Sequence, residues 1–269
     1  MACLAPLLVL AATAQSPVSL STFAEGAKQN VGALLNEHTL KRSLSLEHPI
    51  LNHQLHQFLL DRPDVGAAIS RSLGIGNYTI RRVGPDRFHG YDPDGVEGDM
   101  EIYYRDAAHR VYYAEGIAKG GVVTFRGKTV IFHEFQYESV DQAQEWVKSQ
   151  LTIYAKIENP VLAFVIRILE PFIGQLVDPR ISKAQGVVKQ VSESLVQDPH
   201  GTYGRIAESN ELTPEDLKVL GELMGRSEQG SRISHPHGGW SLRTGQRSPP
   251  GRAPHTAPGQ AASTDLFAT

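Results

Sequence analysis

The chain has 269 residues, a formal net charge of −3 and a sequence pI of about 6.4. That balance leaves no global basic footprint for nucleic acid. Cys3 is the one cysteine, so a disulfide framework and a thiolate metal site are both excluded once an N-terminal leader is removed. The length fits one or two domains, and with both ends discounted one domain with a genuine core remains.

In chain order, MACLAPLLVLAATAQS reads as a signal peptide over 1–14. It has a short apolar run from Leu4 to Ala11, then Ala12-Thr13-Ala14 as a small-x-small cleavage pattern. The expectation is therefore a secreted or periplasmic protein, although no Lys or Arg precedes the run; without export the chain stays cytoplasmic. Residues 15–46 read as a linker with one marginal amphipathic helix in AEGAKQNVGALLNEHTLKR. In HPILNHQLHQFLL, Pro49 suits a first helical turn and places Ile50, Leu51, Leu55, Phe58 and Leu59 on one face. RPDVGAAISRSLG makes a second helix that stops at Gly74 or Gly76.

Strands follow. NYTIRRV and RFHGY flank the turn signal Gly84-Pro85-Asp86, and GDMEIYYR and HRVYYAEGIA flank Asp106-Ala107-Ala108. GVVTFR and KTVIFHEFQYE flank Gly127, and SQLTIYAKI closes the set. Alternation places Met100, Ile102 and Tyr104 on one face, and Leu151, Ile153, Ala155 and Ile157 on one face of the last strand. Connections this short require antiparallel pairing.

After residue 158 the period changes. ENPVLAFVIRILEPFIGQLVDPRISKAQGVVKQVSESLVQDP reads as a long apolar helical arm. Asn159-Pro160 starts it, and Pro171 and Asp178-Pro179 predict two segments, 160–177 and 179–197. Thr213-Pro214-Glu215-Asp216 starts a short accessory helix within 201–226, ending at Gly225. From 227 to 269 the chain has too few apolar residues to offset ordering entropy, which predicts a disordered tail.

No motif specifies a reaction. GGVVTFRGKT has five residues between Gly121 and Gly127 where a phosphate loop needs four, and a strand follows it, so it reads as a hairpin turn. DPDGVEGDME lacks the glycine position of a calcium loop and reads as a solvated turn. His48, His53 and His56 lack further ligands nearby and read as helix-surface histidines. No cofactor and no metal site is expected. Glu115 and His133 are the best polar pair: if both strand faces point inward, a carboxylate and an imidazole enter an apolar interior.

Two helices, about six antiparallel strands and a terminal long helix, from Pro49 to Gln197, resemble the helix-grip fold of the START-like, polyketide-cyclase and Bet v 1-like superfamily. The expected class is α+β: a curved antiparallel sheet packed on a C-terminal helical arm, in a domain over 47–200. Two departures from that pattern stand out. No strand is read before residue 49, and Pro171 and Pro179 break the arm. The resemblance implies carriage of a hydrophobic small molecule or lipid between sheet and arm. Tyr104, Tyr113, Glu115, His133 and Phe135 are the sheet candidates, and Val165 and Leu169 those of the arm. Two alternatives stand beside it. One is an enzyme using Glu115 and His133 as an acid/base pair, which requires both on one sheet face. The other is peripheral docking on a membrane or partner through 161–177.

Overall fold

Residues 40–50 hold the largest departure from the sequence reading. The structure of the protein, a computed structural model, describes residues 18–120, 123–139, 145–159 and 170–232. Within it a helix, α1 (Glu25–Glu37), ends before His38, and the chain extends at once into a strand, β1 (Leu40–Ile50). Leu40, Leu44 and Leu46 recur on alternate positions, with exposed Lys41, Ser43 and Ser45 between them. That is a strand period inside a segment first read as linker and helix. Pro49 thus lies in the strand and not in a helical turn. It is tolerated there because β1 is the sheet edge, where a missing N–H costs little. Asn52 sets the real start of the next helix, α2 (His53–Asp61), by accepting the Leu55 N–H at 2.8 Å.

Pro63 opens α3 (Pro63–Ser72), and Gly74, at φ +68°, follows its end. Six further strands follow: β2 (Thr79–Arg82), β3 (Arg87–Tyr91), β4 (Val96–Arg105), β5 (His109–Gly120), β6 (Val123–Ser139) and β7 (Glu145–Ile157). All pairings are antiparallel, in the order β1-β7-β6-β5-β4-β3-β2. The strand missing from the sequence reading closes the sheet against β7. Gly127, expected at a turn between two strands, is instead inside β6, paired with Gly116 on one side and Ile157 on the other. A bulge between Ile102 and Tyr104 shifts the register of β4 and carries Tyr104 to the face opposite Met100 and Ile102, correcting the expected common face.

The arm is described from residue 170 as one helix, α4 (Glu170–Gln197), continuous through Pro171 and Pro179. The expected break between 177 and 179 is absent. Packing of its second half, where Val191 and Leu195 are buried among helical neighbours, outweighs the local cost of a helix-interior proline, about 3 kcal/mol. Asp198 caps α5 (Pro199–Glu208) through the Gly201 N–H at 2.9 Å, a helix the sequence reading did not separate. Thr213 Oγ1 accepts the Asp216 N–H at 3.1 Å and donates to its carboxylate at 2.8 Å, starting α6 (Pro214–Arg232), which runs past the expected stop at Gly225. The expected leader at 1–14 lies outside the described residues; of the expected disordered tail at 227–269, residues 227–232 are instead helical, in α6, and 233–269 lie outside the described residues.

The sheet has helices on both sides. Its outer face meets α1, where Val31 and Leu34 pack with Val111, Tyr113, Val130, Phe132 and Tyr154. The inner face meets α2, α3 and α4: Tyr112 donates to the Leu60 carbonyl at 3.0 Å, and the charges of Glu193 and Lys189 on α4 act on buried His48. Leu55, Ile69, Val191, Ile206 and Leu220 join the helices in a core of their own.

Candidate functional site

Four glycines fall on one line across the inner face. The register pairs Gly90 with Gly98, Gly98 with Gly116, and Gly116 with Gly127, in β3, β4, β5 and β6. Glycine inside a strand marks a bend or a close approach. Here it is both. A Cβ on Gly98 would overlap the Glu115 carbonyl and sit 2.8 Å from Gly116 Cα, and one on Gly116 would meet Gly98 Cα at 2.8 Å. The strands approach too closely for any side chain at these two positions. Above the line lies a hollow of about 330 Å³, walled by Ile80, Phe88, Met100, Ala114, Ala118 and Phe125. Small residues form its floor and apolar ones its sides, while Tyr91 and Val96, both exposed, stand at its rim.

Further along the inner face lies a buried layer of imidazoles. His48 on β1 and His133 on β6 are 1% and 8% exposed. The His48 and His56 rings are 6.0 Å apart, and His133 and His56 both pack edge-on to Phe135, at 5.4 and 5.5 Å. Hence His48 is not on a helix surface; the strand directs it into the interior. His56 Nδ1 pairs with the Tyr137 hydroxyl at 3.0 Å. Burial, reinforced by Arg110 and His48, pulls His133 down to about 4; burial, His48, His133 and Arg110 pull His56 down to about 3. Arg110, 3% exposed, donates to Asp61 at 2.7 Å and to the carbonyls of Asp106 and His109. Among the described residues no group of His, Cys, Asp and Glu could hold a metal ion.

The seven residues singled out from sequence do not converge. His133 and Phe135 point to the inner face. Tyr113 and Glu115 point to the outer face, where the Tyr113 hydroxyl donates to Glu115 at 3.2 Å and Lys128 lies 3.7 Å from the same carboxylate. Tyr104 is on the outer face too, donating to Asp106 at 2.9 Å and packing edge-on against Phe23. Val165 and Leu169 lie outside the described residues. Glu115 and His133 are therefore on opposite sides of the sheet and share no substrate atom, which ends their reading as an acid/base pair. The glycine line escaped the sequence reading because each glycine is unremarkable within its strand. Only the register joins them.

No family model and no curated protein matches the chain. Solved structures are similar over a little more than half of it. A conserved protein from Geobacillus kaustophilus is 15% identical, with 58% of this chain and 97% of that chain covered and a TM-score of 0.41. The protein Ara h 8.0201 is 14% identical over 59% and 100%, with a TM-score of 0.39. Truncated norcoclaurine synthase from Thalictrum flavum is 13% identical over 59% and 95%, with a TM-score of 0.34. These values are low, and the assignment of the fold rests on the chain's own connectivity. A first strand, two helices, six more antiparallel strands and a long helix against the inner face make this an α+β helix-grip fold.

Proposed function

We propose that the protein binds a hydrophobic small molecule or lipid in the hollow on the inner face of its sheet. The observation that carries this reading is the glycine line. Four adjacent strands omit their side chains at one level, opening about 330 Å³ among apolar walls. That volume lies in the range of small-molecule sites, which are concave and mostly apolar. Glu115 and His133, on opposite faces of the sheet, do not share an atom at the hollow, so the reading is of binding and carriage.

The test is native mass spectrometry of the purified protein, paired with organic extraction and a titration with the fluorescent apolar probe phenylnaphthylamine. The expected result is a co-purifying apolar molecule, or saturable probe binding at one equivalent. Absence of both contradicts the reading.

A further inference from the structure

Two buried polar atoms on the inner face lack a hydrogen-bond partner: His133 Nε2 and Ser149 Oγ. Their side chains are 8% and 5% exposed. Buried polar groups are nearly always paired, so two unpaired ones on one surface call for a partner. The register brings them together. His133 pairs with Leu151 and Ser149 with Phe135, which makes His133 and Ser149 diagonal neighbours across β6 and β7, about 7–8 Å apart. Leu44, Leu46 and Leu151, on the same face, each keep part of their surface uncovered. Thr129, the nearest wall residue of the hollow on the same strand and face, is four positions away, about 13 Å.

We infer that His133 and Ser149 form the polar end of the binding site and recognise an uncharged oxygen, a hydroxyl or carbonyl, at the head of a ligand whose apolar body extends toward the glycine hollow. This inference rests on the binding reading above and adds the class of ligand. A neutral head group follows from the charges present. The neighbouring cation, Arg110, is already engaged by Asp61 and two carbonyls. Burial beside it keeps the His133 imidazole neutral above about pH 4. Among the described residues, a carboxylate or phosphate placed here would be desolvated beside a cation that is already engaged. A hydroxyl or carbonyl loses little and satisfies one or both atoms.

The experiment displaces phenylnaphthylamine with dodecanol, dodecane and dodecanoate from the wild type, His133→Phe and Ser149→Ala. Both variants are expected to keep the wild-type unfolding midpoint, because neither removes a side-chain hydrogen bond from these atoms. If His133→Phe does not fold, Ser149→Ala carries the test alone. Each substitution should weaken dodecanol about tenfold and leave dodecane unchanged. Unchanged dodecanol affinity, an equal loss for dodecane, or tighter binding of dodecanoate than of dodecanol would overturn the polar end while leaving the hollow intact. Failure of every competitor and of the probe itself on the wild type would overturn the binding reading and this inference together.

Discussion

Alternate residues of the same strands build two surfaces with opposite packing. On the outer face Val111, Val130, Phe132 and Tyr154 are all but fully buried, because α1 lays Val31 and Leu34 directly over them. On the inner face the same strands present Ala114, Gly116, Gly127 and Thr129 as the floor of a hollow, then Ile131 and Ile153, each only partly covered. Hydrophobic composition therefore does not distinguish a filled layer from a binding layer. Volume does. The outer face keeps large side chains where a helix can close on them, and the inner face omits them along one register line.

The largest effect expected from this contrast is on the filled side. Phe132→Ala, at a residue 1% exposed, should cost about 3–5 kcal/mol in urea unfolding, the range for a fully buried phenylalanine truncated to alanine. Next is Gly116→Val, which forces apart strands that already touch. It should destabilise by about 2–3 kcal/mol although it adds apolar surface, and a neutral result would break the account of the glycine line.

Acid provides a smaller effect, with a definite sign. His133 has a folded pKa depressed to about 4 from 6.5, so the unfolded chain binds the proton more readily. Its contribution is fully present above pH 6.5 and is lost as pH falls toward 4. Unfolding measured at the two ends should show a loss of about 1.5 kcal/mol between pH 6.5 and 5 from this residue, absent in His133→Phe. The smallest effect belongs to Glu115→Gln. Its side chain is 55% exposed on the outer face, so probe binding and the unfolding midpoint should both stay at wild-type values. A loss of binding would mean the two faces are not independent.

Much of the architecture was legible in the residues. RFHGY coincides with β3, and the last strand ends at Ile157, where the period changes, with helix described from Glu170 onward. What was not legible follows from two causes. One is competition between signals at one segment: LKRSLSLEH alternates as a strand, but Pro49 and the helical pattern just beyond it pointed to a helix, so the first strand was lost. The other is register, a property of pairs of strands. Glu115 and His133 each sit in a clean alternating strand, and both strands have two apolar faces. Only the pairing of Glu115 with Lys128 and of His133 with Arg110 separates them. The glycine line is hidden for the same reason.

The most direct test of the central claim is probe binding by Gly90→Leu. A Cβ at Gly90 meets only Ile80 Cγ1 at 3.8 Å and the Thr79 carbonyl at 3.9 Å, so the sheet accepts the substitution and the new side chain fills the hollow. The account predicts an unfolding midpoint at or above wild type, together with at least a tenfold loss of phenylnaphthylamine affinity. Wild-type affinity in a folded Gly90→Leu protein would contradict it.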